Sequence, residues 1–152
     1  MKQLFFLFWC SVVFQGCSQN TAFDRFTMTQ QQKFAENSIQ SSKVTYKDEI
    51  DGTLNVVYLN EVNKEQYNDK EYFYVYLYLK DKHPDILFLL NNTPAIHVTQ
   101  LGAHNQFSNL ISFDAPWNKF YLVEFKKQGD KLNFQLQNKH YKSRVLHFEK
   151  DQ

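Results

Sequence analysis

The segment Tyr72-Phe73-Tyr74-Val75-Tyr76-Leu77-Tyr78-Leu79 (YFYVYLYL) decides the fold class of this chain. Its residue types alternate with a period of two, which is the period of side chains along a β-strand. Phe73, Val75, Leu77 and Leu79 are therefore expected on one face, against a hydrophobic core. The four tyrosines are expected on the opposite face. The segment predicts a strand with an apolar row and a phenolic row.

The four tyrosines of this strand, Tyr72, Tyr74, Tyr76 and Tyr78, are candidate binding residues. A tyrosine side chain joins an apolar ring to a polar hydroxyl group and is enriched at interfaces. A row of them favours a binding face for a protein or glycan partner. Two structural explanations stay open. The row packs against neighbouring strands of a half-exposed sheet, because Tyr has a high β-propensity, or a helix covers it.

Short apolar runs with turn residues between them continue on both sides of this strand. Asp51-Gly52 supplies a two-residue hairpin signal. A first strand is predicted from Lys43, and further strands are predicted at 53–59, 86–90, 96–101, 107–113, 120–127, 132–137 and 144–148. About seven to nine short strands, with no room for crossover helices, indicate an all-β fold, either an antiparallel β-sandwich or a small barrel.

One short N-terminal helix is predicted upstream of the strands. Thr29 can cap it, and Gln32 three residues later completes a weak capping box. Phe34, Ala35 and Ile39 fall near one face, so the helix is expected between Thr29 and Ile39. The length of the chain that follows favours one domain, at residues 29–152.

The first seventeen residues have the layout of an export signal. Lys2 supplies a positive charge, and Leu4 to Phe14 form an apolar segment of eleven residues. A membrane-spanning helix needs about 20 residues, so this segment is too short to span. The closing Val13-Phe14-Gln15-Gly16-Cys17 resembles the lipobox of bacterial lipoproteins. Family members favour Leu and a small residue at the places held here by Phe14 and Gln15.

The lipobox resemblance covers residues 1–18 only. It implies a signal peptide at 1–16, and a lipidated Cys17 with a short tether at 17–28. The acyl chains on Cys17, palmitate among them, would anchor the protein in the membrane. Ser18 after the Cys favours the outer membrane in many Gram-negative bacteria. The alternative is an ordinary secretory signal cut after Ser18, which would release a soluble secreted or periplasmic protein.

Cysteine usage and charge narrow the class of partner. The two cysteines are Cys10 and Cys17, so residues 18–152 contain neither a disulfide nor a cysteine nucleophile. Loss of Lys2 with the signal leaves 16 basic against 16 acidic residues, and a neutral chain does not favour nucleic acid as a partner. Residues 48–85 hold nine acids against four lysines, and residues 117–152 hold eight bases against four acids. This asymmetry indicates either adjacent strands that attract one another or a face suited to a charged partner.

No catalytic or metal-binding motif stands out in the sequence. The five histidines have no metal spacing, and the G-x-S-x-G, S-x-x-K and glycine-rich phosphate motifs are absent. We therefore expect no catalytic residues, no metal and no cofactor. Trp117, beside Pro116 in a turn, is a candidate anchor for a partner. Its alternative role is to plug one end of the sandwich.

Together these features favour a lipid-anchored lipoprotein of the bacterial cell envelope whose β-domain is a non-catalytic binding or assembly module. Its expected partners are the membrane, through Cys17, and an envelope protein. Two alternatives remain: a periplasmic inhibitor or immunity protein against a toxin or hydrolase, and a hydrolase whose site combines residues distant in sequence.

Overall fold

The computed structural model describes residues 30–80, 85–111 and 115–150. In this part of the chain, ten β-strands form two antiparallel sheets, and the helices are short. The predicted all-β fold is confirmed. The predicted signal, the lipidated Cys17 with its tether and the capping residue Thr29 lie outside the described residues.

The first described element is helix α1 (Gln30–Asn37). The strands are β1 (Ile39–Tyr46), β2 (Glu49–Tyr58), β3 (Glu71–Leu79), β4 (Phe88–Leu90), β5 (Thr93–Pro94), β6 (His97–Leu101), β7 (Lys119–Phe125), β8 (Lys131–Leu136), β9 (Tyr141–Ser143) and β10 (Leu146–Glu149). A helical turn, α2 (Leu59–Val62), follows β2, and a 3-10 helix (Ser108–Leu110) follows β6.

The two sheets are joined at both corners by consecutive strands. The larger sheet has the order β6-β7-β3-β2-β1-β9 and the smaller has β10-β8-β4-β5. Two residues separate β5 from β6, and two separate β9 from β10, so the chain crosses between sheets at each corner. One of the two sheets curls into half a barrel. Strands that switch sheets in this way form the corners of many two-sheet packings.

The main core lies between the two sheets and contains the apolar row of β3. Phe73, Val75 and Leu77 are buried, and Leu79 packs against them. The ring of Phe73 lies 4.9 Å from that of Phe134 on β8. Each such side chain contributes roughly 1.5–3 kcal/mol when it is fully removed from water. The predicted inward direction of this row is confirmed.

A second, smaller core lies on the opposite face of β3. Ala35 of α1, Leu59 of α2 and Phe107 pack there against Tyr74. Helix α1 confirms the predicted helix, which ends at Asn37 because β1 begins two residues later. The helix and the segment before the 3-10 helix thus cover part of the tyrosine face.

The turn between β1 and β2 differs from the predicted one. Its central residues are Lys47 and Asp48, with φ of 48° and 71°, the pair of positive values that a type I′ hairpin requires. The predicted turn, Asp51-Gly52, lies within β2 beside a β-bulge. Glycine is required there because a Cβ at position 52 would lie 1.9 Å from the carbonyl oxygen of Tyr78.

Within the segment predicted as a strand at 107–113, Ser108–Leu110 form a 3-10 helix instead. Local side chains hold the backbone in turns: Oδ1 of Asn105 accepts the Phe107 N–H at 2.9 Å, and Oγ of Ser108 accepts the Asn105 N–H at 2.9 Å. Asn and Ser compete with strand pairing in this way. The prediction of a strand was therefore wrong at this point of the chain.

Candidate binding surfaces

The tyrosine row of β3 is not a continuous open surface. Tyr74 is fully buried, its ring 5.0 Å from that of Phe107. Its hydroxyl oxygen accepts a hydrogen bond from Nδ2 of Asn105 at 3.3 Å. The prediction that Tyr74 belongs to an open binding face is therefore corrected, because the segment that contains Asn105 and Phe107 covers it.

The other three tyrosines of the row are half-buried. The hydroxyl of Tyr72 donates to Oδ1 of Asp69 at 2.8 Å, and its ring lies 5.1 Å from that of Tyr67. Burial, with a further contribution from Tyr74, raises the pKa of Tyr76 to about 12. Tyr78 pairs with Thr53 on β2. These residues remain candidates, but each presents only part of its ring.

Trp117 is the most exposed of the large hydrophobic side chains on the described surface, at 61 %. It lies in a turn before β7 that is closed by a hydrogen bond from the Asn118 N–H to the Ala115 carbonyl at 2.9 Å. An indole so open to solvent does not plug the end of the sandwich. The prediction that it anchors a partner is still open.

Strand β6 forms one outer edge of the larger sheet. It pairs with β7, from His97 opposite Glu124 to Leu101 opposite Phe120, and with no other described strand. Outer edges in natural proteins are usually protected by Lys, Pro or a bulge against pairing with another chain. The residues of β6, HVTQL, include neither Lys nor Pro. This edge therefore lacks a lysine or proline that would oppose strand addition.

An exposed apolar patch lies beside that edge, at the corner where β5 passes into β6. It consists of Leu87 and Ile96, which we call the corner patch, and both are exposed. The Ala95 N–H bonds to the Phe88 carbonyl at 3.1 Å, and the β4–β5 register carried one pair further sets Leu87 opposite Ile96. Val98 on β6 is exposed as well, but it pairs with the buried Val123, so its side chain lies on the inner face of the larger sheet at its edge. Exposed apolar patches of this kind often mark contacts with other proteins.

A second surface lies at the other corner, where β1 pairs with β9. Thr45 lies opposite Lys142 in this ladder, and the register carried one pair beyond Ser143 sets Arg144 opposite Lys43. The Arg144 N–H donates to Oγ of Ser42 at 2.9 Å, which holds it beside β1. Residues two apart on a strand share a face. Lys43, Lys142 and Arg144 therefore lie on the outer face of the larger sheet.

These cations line an open groove of about 600 Å³, which we call the cationic groove. Its lining contains three basic residues and no carboxylate: Lys43, Thr45, Ile50, Gln135, Lys142, Ser143, Arg144 and Val145. Ile50 is 54 % exposed and Val145 is 40 % exposed. None of the three cations forms a salt bridge with a described carboxylate. The groove thus combines positive charge with exposed apolar surface.

The polar groups between these cations are already paired with one another. Oγ1 of Thr45 donates to the Lys142 carbonyl at 3.2 Å, and Nε2 of Gln135 donates to the Ser143 carbonyl at 3.0 Å. Oγ of Ser143 donates to the Arg144 carbonyl at 2.8 Å. These polar groups therefore stabilise the fold, and the charged groups of Lys43, Lys142 and Arg144 are the donors left to bind a ligand.

A buried acid, Glu71, lies at the start of β3. The Tyr58 hydroxyl donates to its Oε2 at 2.6 Å, while the Gln128 N–H and the Lys150 ammonium donate to Oε1 at 2.9 and 2.8 Å. Burial is the largest influence and acts to raise the pKa of Glu71, but these donors together outweigh it and hold the pKa below its usual value. The same burial, with Glu71, raises the pKa of Tyr58. A fully paired carboxylate of this kind holds the fold together.

Neither candidate surface was recognised from the sequence. The excess of bases at residues 117–152 was a signal for the cationic groove, since Lys142 and Arg144 belong to it. Lys43 comes from the first strand and could be added only with the register of β1 and β9. The open edge of β6 depends on the order of strands in the sheet, which the sequence does not reveal.

Within residues 30–80, 85–111 and 115–150, no three His, Cys, Asp or Glu side chains gather as metal ligands would. The helices of this same part are all too short or too polar to cross a membrane. No protein-family model matches this chain, and no curated protein or solved structure is similar enough to count as a relative.

Proposed function

We propose that this protein is a lipid-anchored, non-catalytic binding or assembly module of the bacterial cell envelope. Acyl chains on Cys17 hold it at the membrane, and a strand of an envelope protein adds to the open edge of β6. One observation carries the partner site: the outer edge strand β6, which contains neither Lys nor Pro and exposes Val98, directly follows the corner patch of Leu87 and Ile96.

Strand addition uses both features of this surface. The outer N–H and C=O groups of an edge strand give an incoming strand its main-chain hydrogen bonds, and neighbouring side chains provide the specificity. At β6 the apolar side chain of Val98 is 43 % exposed, and Ile96 and Leu87 extend the apolar surface at the corner. An extended segment with apolar residues at alternate positions fits this edge.

The membrane anchor is supported by the end of the apolar N-terminal segment, where Gly16 directly precedes Cys17. Because Cys10 lies within the signal, acylation accounts for the thiol that has no partner in residues 18–152. The outer membrane is the proposed location. Intact mass spectrometry of the membrane-extracted protein should give a chain that begins at Cys17 and carries acyl chains. A chain that begins after Ser18 would refute the anchor.

The partner site is tested by crosslinking from β6 in living cells. A photoreactive residue in place of Gln100, which is exposed on the same strand, should crosslink to one envelope protein. Val98→Lys should reduce that crosslink about tenfold or more, because a charge on the edge opposes strand addition. Phe34→Lys on α1 is the matched control, since Phe34 is exposed to a similar extent and lies outside both candidate surfaces.

The proposal fails if position 100 gives no crosslink, or if Val98→Lys and Phe34→Lys give the same yield. The identity of the crosslinked protein separates the classes of function. An envelope component supports an assembly module. A toxin or hydrolase that loses activity when bound would make this chain an inhibitor or immunity protein instead.

A further inference from the structure

We propose that the cationic groove docks on the phosphate groups of anionic phospholipids, so that the domain lies on the membrane with this corner facing the leaflet. This inference rests on the proposed membrane location but not on the proposed protein partner. The two surfaces lie at opposite corners: the groove where β1 meets β9, and the partner site at the outer edge of β6.

The charges of the groove are crowded without any balancing acid in its lining. The register of β1 and β9 carried one pair beyond Ser143 sets Arg144 opposite Lys43, and Lys142 lies two pairs along the same ladder, on the same face. Side chains directly opposite in such a ladder have Cβ atoms about 4.5–5.5 Å apart, and like charges there are destabilising. An anion placed between them removes this repulsion. The arrangement therefore has a physical reason to bind negative charge.

The nearest acids of β2 do not provide that charge within the groove. Ile50 lies opposite Thr45 on the outer face. Glu49 precedes it, and successive side chains of a strand point to opposite faces. Neither Glu49 nor Asp51 belongs to the lining of the groove.

The hydrogen-bonding groups of the groove suit phosphate. Arg144 presents a planar guanidinium that binds phosphate oxygens in pairs, and the two lysines contribute point charges. Because Thr45, Gln135 and Ser143 already bond to the fold, the three cations are the donors that meet the ligand. Phosphate, which offers several acceptor oxygens to one cluster of cations, matches this set.

The exposed apolar residues favour a membrane over a free anion. Ile50 and Val145 stand beside the cations and are about half exposed. Apolar side chains next to basic ones are typical of surfaces that lie in the headgroup region. Each basic residue near an anionic surface contributes roughly a fivefold gain in affinity, so three contribute about a hundredfold. A domain already tethered nearby needs no more than this to hold one orientation.

The test measures the depth of a label beside the groove in reconstituted membranes. The lipidated protein carries a spin label on Thr53→Cys, which lies opposite Lys43 on the exposed rim, or on Gln100→Cys at the β6 edge. Vesicles contain phosphatidylcholine alone or mixed with phosphatidylglycerol. Access of a water-soluble nickel complex to the label is the readout.

At low salt, the label at position 53 should become several-fold less accessible in the anionic vesicles only, and the label at position 100 should stay accessible in both. The triple variant K43Q/K142Q/R144Q should abolish this protection. The matched triple K33Q/K126Q/K131Q removes the same charge from exposed lysines outside the groove and should retain it. High salt should weaken the protection, because it screens the charges.

Equal accessibility at position 53 in both lipids would overturn the proposal, and so would full protection in the groove triple. Protection that appears only when an acidic envelope protein is added, and not with lipid, would also overturn it. Intact mass spectrometry of the same sample distinguishes failure of this proposal from failure of the lipid anchor. If acyl chains are absent, co-sedimentation with the anionic vesicles still reports on the groove alone.

Discussion

The ammonium of Lys150 lies 2.8 Å from Oε1 of Glu71, although 79 positions separate them in the chain. Glu71 opens β3, an inner strand of the larger sheet, and Lys150 follows β10 of the smaller sheet. The pair therefore ties the two sheets together at one end of the core. It joins an acid of segment 48–85 to a base of segment 117–152, but it does so between the two sheets and not between adjacent strands.

Lys150→Met should destabilise the fold. The change leaves the carboxylate of Glu71 buried with one donor fewer, and an uncompensated buried charge costs several kcal/mol. Because Lys150 keeps some exposure, we expect the free energy of unfolding to fall by about 2–3 kcal/mol. Urea unfolding followed by circular dichroism measures it. Lys126→Met, at an exposed position, should change it by less than about 0.5 kcal/mol, and equal effects of the two would refute the role of the pair.

The carboxylate of Glu71 should also make the free energy of unfolding depend on pH. The hydrogen bonds to Glu71 hold its pKa in the folded protein below the ordinary value of 4.5. The unfolded chain therefore takes up the proton first, and the stability that the ionised group contributes is lost as the pH falls below about 4.5. Glu71→Gln cannot titrate and should lose less stability between pH 5 and pH 3 than the natural protein. Parallel urea titrations at several pH values test this, and identical slopes would contradict it.

Much of the fold could be predicted because it depends on patterns within short segments. The alternation in residues 72–79 predicted which of these side chains face the main core, and Phe73, Val75 and Leu77 are buried there. The misplaced hairpin at Asp51-Gly52 shows the limit. A glycine is needed there because the carbonyl of Tyr78, on another strand, leaves no room for a Cβ. No local sequence pattern contains that contact.

The candidate surfaces could not be predicted for a related reason. Lys43 and Arg144 are about a hundred residues apart, and the ladder of β1 and β9 brings them together. The burial of Tyr74 depends on Phe107, whose segment was expected to be a strand. In each case the deciding neighbour comes from a distant part of the chain, and sequence periodicity carries no information about it.

Gly52→Ala should be strongly destabilising even though its backbone needs no positive φ. The added methyl group would meet the carbonyl oxygen of Tyr78 at 1.9 Å, so β2 and β3 would have to separate. Overpacking of this kind costs about 1–3 kcal/mol, and backbone atoms yield less than side chains. Gly129→Ala is the control, because nothing lies within 4 Å of its added methyl group. A thermal unfolding midpoint that falls equally in both variants would show that the contact with Tyr78 is not the cause.

Tyr74→Ser distinguishes a core role from an interface role for the tyrosine row. Its ring is buried, 5.0 Å from Phe107 and 6.2 Å from Phe120. Loss of a buried aromatic ring costs about 3–5 kcal/mol, so the free energy of unfolding should drop by that order. Tyr74→Phe keeps the ring and loses only the hydrogen bond from Asn105, so its cost should be about 1 kcal/mol.

Trp117→Ser tests an exposed aromatic residue, in contrast to the buried Tyr74. Because this indole is mostly exposed, its loss should change stability by less than about 0.5 kcal/mol. If Trp117 anchors a partner, the same variant should weaken the crosslink from position 100 while leaving urea unfolding unchanged. If Tyr74→Ser instead has the same free energy of unfolding as the natural protein and weakens that crosslink, the tyrosine row is an interface. The second core around Phe107 must then open when the partner binds.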